Sequence, residues 1–282
     1  MTIRPGSKTR AQVLVVEHGH GAQRSDQLAT EEPLEIRVIA GGETRSLAIT
    51  MRTPGADFEL AAGFLHGEGI VTQREDIERI NYCVRSEVDT EQRYNIVNVA
   101  LRAAPQRDLD QLQRHFYISS ACGVCGTASL DALRLRACPA IPPGPQIPAA
   151  TLYGLPDQLR ADQGVFAATG GLHAAGLFDA EGRLLALRED VGRHNAVDKV
   201  LGWALLGGML PLNQHILLVS GRSSFEILQK ALAAGVPIVC AVSAPSNLAV
   251  AVARSFGMTL VGFLRGERFN VYSGAERVRL AQ

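Results

Sequence analysis

Apolar and polar residues alternate over residues 33–51, with an interruption at Gly41 and Gly42. Side chains of a strand point to opposite faces at every second residue, so this pattern predicts a β-hairpin closed by a Gly-Gly turn. The stretch 53–57 then opens a short amphipathic helix that ends near Gly67.

Two further strand-like runs, at residues 77–85 and 94–101, complete a small α+β domain, which we assign to residues 1–117. The remainder, residues 118–282, is predicted to be a larger α/β domain. It begins with a pair of cysteines and a Pro-rich loop at residues 138–148, whose five prolines exclude regular structure.

After the Pro-rich loop, the larger domain is predicted to continue with short strands and a helix. The strands are predicted at residues 165–169, 174–178 and 184–187, the last two forming a hairpin. Apolar residues then recur at helical spacing over 197–205. A β-α-β-α-β pattern follows, with strands at 216–219, 238–242 and 259–263 and helices at 224–234 and 246–256.

Ser223 and Ser246 stand where the N-caps of these two helices belong, and Gly235 and Gly257 stand where their C-caps belong. Right-handed crossovers would make the three strands parallel and cover both faces of the sheet with helices. The fold class predicted for the chain is therefore α/β.

Composition and charge narrow the class of protein. The chain has 282 residues, 28 basic and 28 acidic, so no net positive field attracts nucleic acid or an anionic membrane. No apolar run approaches the roughly 20 residues that a membrane span requires, and we expect a cytoplasmic protein. Five cysteines in a chain of this size favour reduced thiols over a disulfide framework.

Cys122 and Cys125 lie two residues apart in the glycine-rich segment SSACGVCG, residues 119–126. Three chemistries use this spacing. Half of a zinc site is one, but no second Cys-X-X-Cys supplies the other ligands. A thioredoxin-like redox pair is another, although the strand-to-helix context is missing. The third is sulfur relay, in which one thiolate carries a persulfide and the other assists its release.

Two polar segments precede the β-α-β-α-β pattern. Residues 189–199, with sequence EDVGRHNAVDK, place seven polar groups at the start of a helix, where His194 and Asp198 can share one face. Residues 169–173, with sequence TGGLH, place His173 after a Gly-Gly turn. A histidine near a Cys-X-X-Cys invites comparison with zinc deaminases, but the catalytic Glu of that signature is absent and the ligand order is reversed.

The carboxyl ends of the parallel strands are the expected ligand face of such a sheet. Helix N-termini behind Ser223 and Ser246 favour an anion there, and Arg222 adds a guanidinium. Capping alone explains each serine, yet the three loops together predict a site for a phosphate-bearing ligand. The third loop consists of Phe263, Leu264, Arg265, Gly266, Glu267 and Arg268.

These segments together resemble the formate dehydrogenase accessory sulfurtransferases, the FdhD family. The resemblance extends from Glu32 onward and includes EPL at 32–34, the 53–69 segment, CGVCG at 122–126, TGGLH at 169–173, EDVGRHN at 189–195, SGR at 220–222 and GFLRG at 262–266. It implies a cytidine-deaminase-like, three-layer larger domain and a homodimer.

The resemblance also implies a function. Such a protein accepts sulfur from a cysteine desulfurase and transfers it to the molybdenum bis-guanine-dinucleotide cofactor for formate dehydrogenase. By this resemblance Cys122 would carry the persulfide, Cys125 would assist, and residues 263–268 would match the family's cofactor-binding segment. We expect Arg222, Ser223, Ser246 and His194 to contribute to the same binding site. The rival hypothesis is a non-enzymatic cofactor chaperone, and a zinc-dependent hydrolase is a third. We expect no tightly bound zinc, no nucleic acid partner and no membrane partner.

Overall fold

The computed structural model of the chain describes residues 6–84, 93–105 and 140–280. Its first part is a four-stranded sheet with one helix on a face. The bounds are β3 Glu32–Ala40, β4 Glu43–Arg52, α1 Asp57–Gly67, β5 Ile77–Tyr82 and β6 Ile96–Leu101, and the strand order is β4-β3-β6-β5. Leu34, Ile36 and Val38 alternate into the core under α1. The predicted hairpin and helix are therefore confirmed.

An additional hairpin precedes this sheet, formed by β1 Lys8–Glu17 and β2 His20–Ala29. His18 and Gly19 both have positive φ, 52° and 80°, which is the backbone twist of a tight hairpin turn. Its surface is largely exposed, including Leu14 and Val16. The mixed polar sequence gave no prediction of this element.

A six-stranded sheet forms the larger part of the molecule. Its strands are β8 His173–Phe178, β9 Leu184–Asp190, β10 Ile216–Val219, β11 Ile238–Ala241, β12 Thr259–Arg265 and β13 Arg268–Ser273. The order is β13-β12-β11-β10-β8-β9, with β10, β11 and β12 parallel and the other neighbours antiparallel. The predicted parallel β-α-β-α-β unit is confirmed.

Helices cover both faces of this sheet, because its strands bury side chains on alternate sides. On one face lie α4 Arg193–Leu206, α5 Phe225–Ala233 and α6 Asn247–Ser255, packed against Leu217 and Val239. On the other lies α2 Ala149–Ala161, packed against Leu218 and Cys240. The described part of the chain is thus mixed α/β, as predicted.

One predicted strand is wrong. Residues 165–169 belong to a short helix, α3 Gly164–Thr169, which ends at Gly170 with φ 69°. The carboxylate of Glu189 accepts hydrogen bonds from the backbone N–H groups of Val165 and Phe166, at 2.9 and 2.7 Å. A carboxylate at a helix N-terminus stabilises the helix, so a contact 24 residues away in the sequence overrides the local strand preference.

The remaining connections agree with the predictions only in part. Residues 140–146 have no regular structure, and β7 Ile147–Pro148 pairs with β14 Val278–Arg279. Helix α2 follows directly and was not predicted. The boundary between 117 and 118 lies outside the described residues, as do residues 138 and 139. Within the described ranges, no helix is both long enough and apolar enough to cross a membrane.

Candidate functional site

The loops after the three parallel strands meet at one edge of the sheet and are hydrogen-bonded to one another. Phe263 N–H donates to the carbonyl of Ser243 at 3.1 Å. Ser246 N–H donates to the carbonyl of Ser223 at 2.9 Å, and Ser223 N–H to that of Ala244 at 3.2 Å. The convergence predicted for the three carboxyl ends is therefore present as a continuous backbone network.

The histidine motif reaches the same edge because β8 runs antiparallel to β10. Ser220 N–H donates to the carbonyl of Ala174 at 2.9 Å, and Ala174 N–H returns a bond of 2.9 Å to Ser220 Oγ. His173 pairs in register with Asp190, the last residue of β9. The segments 169–173, 189–195, 220–224 and 243–247, separate in sequence, thus surround one edge.

Positive groups gather around His173. A Cβ at Gly221 would lie 3.3 Å from His173 Nδ1 and 3.8 Å from Arg193 Cδ, so both side chains pack against this glycine. The pKa of His173 is lowered, first by burial and then by the nearby charges of Arg193, His194 and Arg222, with Asp190 acting in the opposite direction. Three basic side chains, those of Arg193, His194 and Arg222, therefore lie close enough to His173 to disfavour its charged form.

Two buried polar atoms at this edge have no hydrogen-bond partner among the described residues. They are the Oγ of Ser223, a residue with 0% exposure, and the Nε of Arg193. Leaving a buried polar group unpaired costs about 1–3 kcal/mol. Ser246 differs, because its Oγ accepts the N–H of Ala249 at 3.2 Å and caps α6 as predicted.

The N-cap prediction for Ser223 is wrong by one residue. Helix α5 begins at Phe225 with Ser224 as its N-cap. Ser223 instead forms a bridge with Pro245 that joins the two neighbouring loops, so its backbone is committed to the network while its hydroxyl is unused. Ser224 Oγ lies 3.0 Å from His194 Nε2.

His194 has two partners, Ser224 Oγ and the carboxylate of Glu226 at 2.9 Å. Glu226 was not predicted from the sequence as a site residue, because its spacing from the other polar residues gives no signal. His194 does not meet Asp198, although the two are one helical turn apart. Asp198 is buried against Lys230, with Nζ 2.7 and 2.9 Å from its two oxygens.

Most of the other polar groups in the 189–199 segment hold the fold together. Asp190 is completely buried and lies 2.7 Å from Lys199 Nζ. Asp190 also accepts N–H bonds from Gly192 and Thr53, and Asn195 donates to both Asp190 and the carbonyl of Met51. The variety of polar groups in this segment suggested a functional site, but these groups instead join α4 to the end of β4.

The segment predicted to bind the cofactor is a hairpin rather than a loop. Arg265 and Arg268 pair across its two-residue turn, and both are exposed. Leu264 is completely buried in the core, so its side chain is not available to a ligand. Phe263 is partly exposed and has φ 53°, a value rare for a bulky residue. Gly266 supplies positive φ at the turn, and Glu267 is exposed beside it.

Cys122 and Cys125 lie outside the described residues, so their assignment stays a prediction. Among the residues that the structure describes, no group of three or more His, Cys, Asp or Glu side chains is placed to hold a metal. The expectation of no tightly held zinc also stays a prediction, because the cysteine pair lies outside the described residues. Cys83 and Cys240 are described, and both are buried free thiols.

The fold and this edge define a class: an α/β protein with an electropositive site at the carboxyl ends of its parallel strands. The comparisons with known proteins then specify the family. The family model described as FdhD/NarQ matches residues 29–279. The chain belongs to the FdhD/NarQ family.

Relatives and a solved structure agree with this assignment. The chain is 52% identical over 272 residues to the sulfur carrier protein FdhD of Mycolicibacterium paratuberculosis, covering 96% of this chain and 98% of that protein. It is 51% identical over 273 residues to the protein of the same name from Streptomyces coelicolor, covering 96% and 95%. It also resembles the crystal structure of a candidate formate dehydrogenase accessory protein from Desulfotalea psychrophila, with TM-score 0.73, 27% identity and 96% and 99% coverage.

Proposed function

We propose that this protein is a sulfurtransferase that takes sulfur from a cysteine desulfurase and transfers it to the molybdenum bis-guanine-dinucleotide cofactor for formate dehydrogenase. The observation that carries the proposal is the family membership, with relatives named sulfur carrier protein, in a chain that contains Cys-X-X-Cys at 122–125. The electropositive edge supports it, because a guanine dinucleotide brings phosphates. The protein acts in the cytoplasm as a homodimer.

The first step is a thiol exchange. The Cys122 thiolate attacks the outer sulfur of the desulfurase persulfide, the desulfurase cysteine leaves as a thiolate, and Cys122 keeps the sulfur as a persulfide. In the second step the Cys125 thiolate attacks the Cys122 sulfur. Hydrosulfide is released toward the cofactor, and a disulfide forms between the two cysteines, so these thiols supply both electrons. A cellular dithiol then reduces the disulfide.

Intact-protein mass spectrometry tests the sulfur acceptor. Incubation with a cysteine desulfurase and cysteine should add the mass of one sulfur atom, removable by reductant, to the wild type and not to Cys122→Ala. The control is Cys240→Ala, which should keep the gain, because burial raises the pKa of the Cys240 thiol to about 12 and leaves almost no thiolate at neutral pH. Full gain in Cys122→Ala would contradict the assignment.

The same variant separates the proposal from a non-enzymatic chaperone. Cofactor delivered through Cys122→Ala should activate formate dehydrogenase poorly, because the cofactor lacks its sulfur, although the cofactor still binds. A chaperone would deliver active cofactor through this variant just as well. The readout is formate dehydrogenase activity together with the amount of cofactor that the recipient contains.

Cofactor binding is proposed at the carboxyl edge, through Arg265 and Arg268 of the hairpin with Arg222, Ser223, Ser246 and His194. Guanosine diphosphate is the probe. Arg265→Ala should weaken its binding by roughly 1.5–3 kcal/mol, the range for a hydrogen bond to a charged group, as measured by calorimetry. Persulfide formation at Cys122 should be unchanged. Equal affinity of wild type and variant would remove the hairpin from the site.

A further inference from the structure

The hairpin β1–β2 forms a two-stranded sheet of its own. Each strand has ten residues, and neither strand pairs with any other strand of the described chain. The base of the hairpin is fixed by the N–H of Thr30, which donates to the carbonyl of Ser7 at 3.0 Å. An isolated two-stranded hairpin is marginally stable at best in water. A hairpin of this length therefore needs further support beyond its base.

The apolar side chains of this hairpin are concentrated on β1. Leu14 and Val16 are each 61% exposed, and the segment QVLVV at residues 12–16 contains no charge and no proline. β2 carries mostly polar residues, and all of it except Ala29 is exposed. An exposed apolar strand is a template for pairing with another strand, whereas a polar strand can remain at the edge of a sheet. We therefore expect a partner strand on the β1 side of the hairpin.

The charges of β1 are complementary to a second copy of β1 that runs in the opposite direction. Residues 10–17 begin with the basic Arg10 and end with the acidic Glu17, and both side chains are exposed. Two antiparallel copies bring the basic end of each strand to the acidic end of the other. Two parallel copies would bring like charges together, which is destabilising in neighbouring strands. The charge pattern therefore favours a two-fold, antiparallel pair.

Antiparallel pairing also joins the apolar side chains of the two copies. Residues opposite each other in neighbouring strands point to the same face of a sheet. Leu14 and Val16 share one face, so a two-fold axis near the middle of residues 10–17 places them beside the same pair from the second copy. Val13 and Val15, which are partly buried in the single chain, meet their counterparts on the other face. The result is a four-stranded sheet, with the strand number and apolar faces that a single hairpin lacks.

We propose that the β1–β2 hairpin is an arm through which two copies of this chain pair. β1 of each copy lies antiparallel to β1 of the other over residues 10–17, and the strand order across the shared sheet is β2-β1-β1-β2. This inference rests on the homodimer of the proposed function and adds the surface that forms it. The hairpin precedes residue 29, where the match to the family model begins, so family membership does not by itself imply this contact.

Light scattering on the full chain, at a series of protein concentrations, measures the dissociation constant of the dimer. Leu14→Lys combined with Val16→Lys should raise this constant about ten- to a hundredfold, because it places four positive charges side by side at the contact. The matched control is Ile49→Lys combined with Met51→Lys on the edge strand β4, where the two residues are 63% and 46% exposed. The control should leave the constant unchanged.

Glu17→Lys is a second variant, which keeps every apolar side chain of β1. It puts like charges at both ends of the paired strands, so it should also weaken the dimer, and more strongly at low salt, where exposed charges are less screened. The affected side chain is exposed, and the melting temperature of each sample checks that the variants fold. An unchanged dissociation constant in Glu17→Lys at low salt would overturn the antiparallel arrangement.

The remaining outcomes separate this contact from the proposed function. A dimer that is as tight in Leu14→Lys with Val16→Lys as in the wild type would overturn the arm contact alone, and weakening only in the β4 control would place the interface on β4. A wild type that stays monomeric at every concentration would contradict the arm contact and the proposed homodimer together. Sulfur loading of Cys122 is measured on the same wild-type sample, and its absence would contradict the proposed sulfur transfer while leaving the arm contact intact.

Discussion

His173 shows how a single residue is set by its neighbours. Burial lowers its pKa, and Arg193 and His194 at the start of α4 and Arg222 after β10 lower it further, against the opposite effect of Asp190 at the end of β9. The imidazole therefore takes up a proton less readily than an ordinary histidine does. An anion bound beside it would favour the charged form and raise the pKa again.

Nucleotide binding should consequently be coupled to proton uptake. As the pH falls from 8 toward 6, the affinity of the wild type for guanosine diphosphate should rise, because His173 takes up a proton more readily in the bound state than in the free state. In His173→Gln the rise should be smaller. Calorimetry at several pH values measures both slopes, and the protonation of the nucleotide cancels in their difference. Identical slopes would show that His173 does not face the phosphates.

At the scale of elements, α1 and α4 cross so closely that no side chain fits at the crossing. A Cβ at Gly202 would collide with the carbonyl of Glu59, and one at Gly63 with the carbonyl of Asp198. Both residues are in helix interiors, where glycine costs roughly 0.5–1 kcal/mol relative to alanine. The two glycines permit the helices to approach closely, and this approach brings the two sheets against a shared helix pair.

Gly202→Ala should therefore destabilise the protein, near the upper end of the roughly 1–3 kcal/mol for overpacking, because the helices must separate. The matched control is Gly154→Ala in α2, where the nearest atom to the new Cβ is the end of the Gln158 side chain at 3.8 Å. That variant should gain roughly 0.5–1 kcal/mol. Chemical denaturation followed by circular dichroism measures both, and equal effects would show that the crossing tolerates a side chain.

Elements whose pattern reflects burial by immediate neighbours were predictable. The β3–β4 hairpin and the β10–β12 unit alternate or run apolar because each strand faces a helix-covered core. Helix α3 was not predictable, because its N-terminus is stabilised by Glu189 from a distant strand. The β1–β2 hairpin has little core of its own, so hydrophobic periodicity contains no signal for it.

The candidate site was also predictable only in part. Topology predicted that the three carboxyl ends would converge, because parallel strands with crossover helices place them at one edge. The approach of His173 to Arg193 depends on β8 being antiparallel and on the space at Gly221. Neither is encoded in the spacing of the motifs. The sequence also did not distinguish the roles of two basic residues in this segment. Arg193 has no partner among the described residues, whereas Lys199 has several.

Across the whole molecule, α4 belongs to two cores. Val197, Val200 and Leu201 pack under the six-stranded sheet, and Leu205 packs into the core of the four-stranded sheet. Lys199 reinforces this junction, with Nζ bound to Asp190 at 2.7 Å and to the carbonyl of Thr53 at 2.8 Å. The two sheets should therefore unfold together. The fluorescence of Trp203, the single tryptophan, and far-UV circular dichroism should report one coincident transition in denaturant.

Lys199→Met tests how strongly this junction holds the two sheets. The substitution keeps a chain of similar length but leaves the buried Asp190 carboxylate without its counter-ion, which should cost roughly 3–5 kcal/mol of unfolding free energy. Lys8→Met is the control: Lys8 is exposed on β1, and surface substitutions of this kind are usually within about 0.5 kcal/mol. The midpoint of denaturation should fall in the first variant and stay in the second. If Lys199→Met unfolded at the wild-type midpoint, the free energy holding the sheets together would have to come from the apolar packing of α4 in the two cores and from its close crossing with α1, rather than from the buried charges.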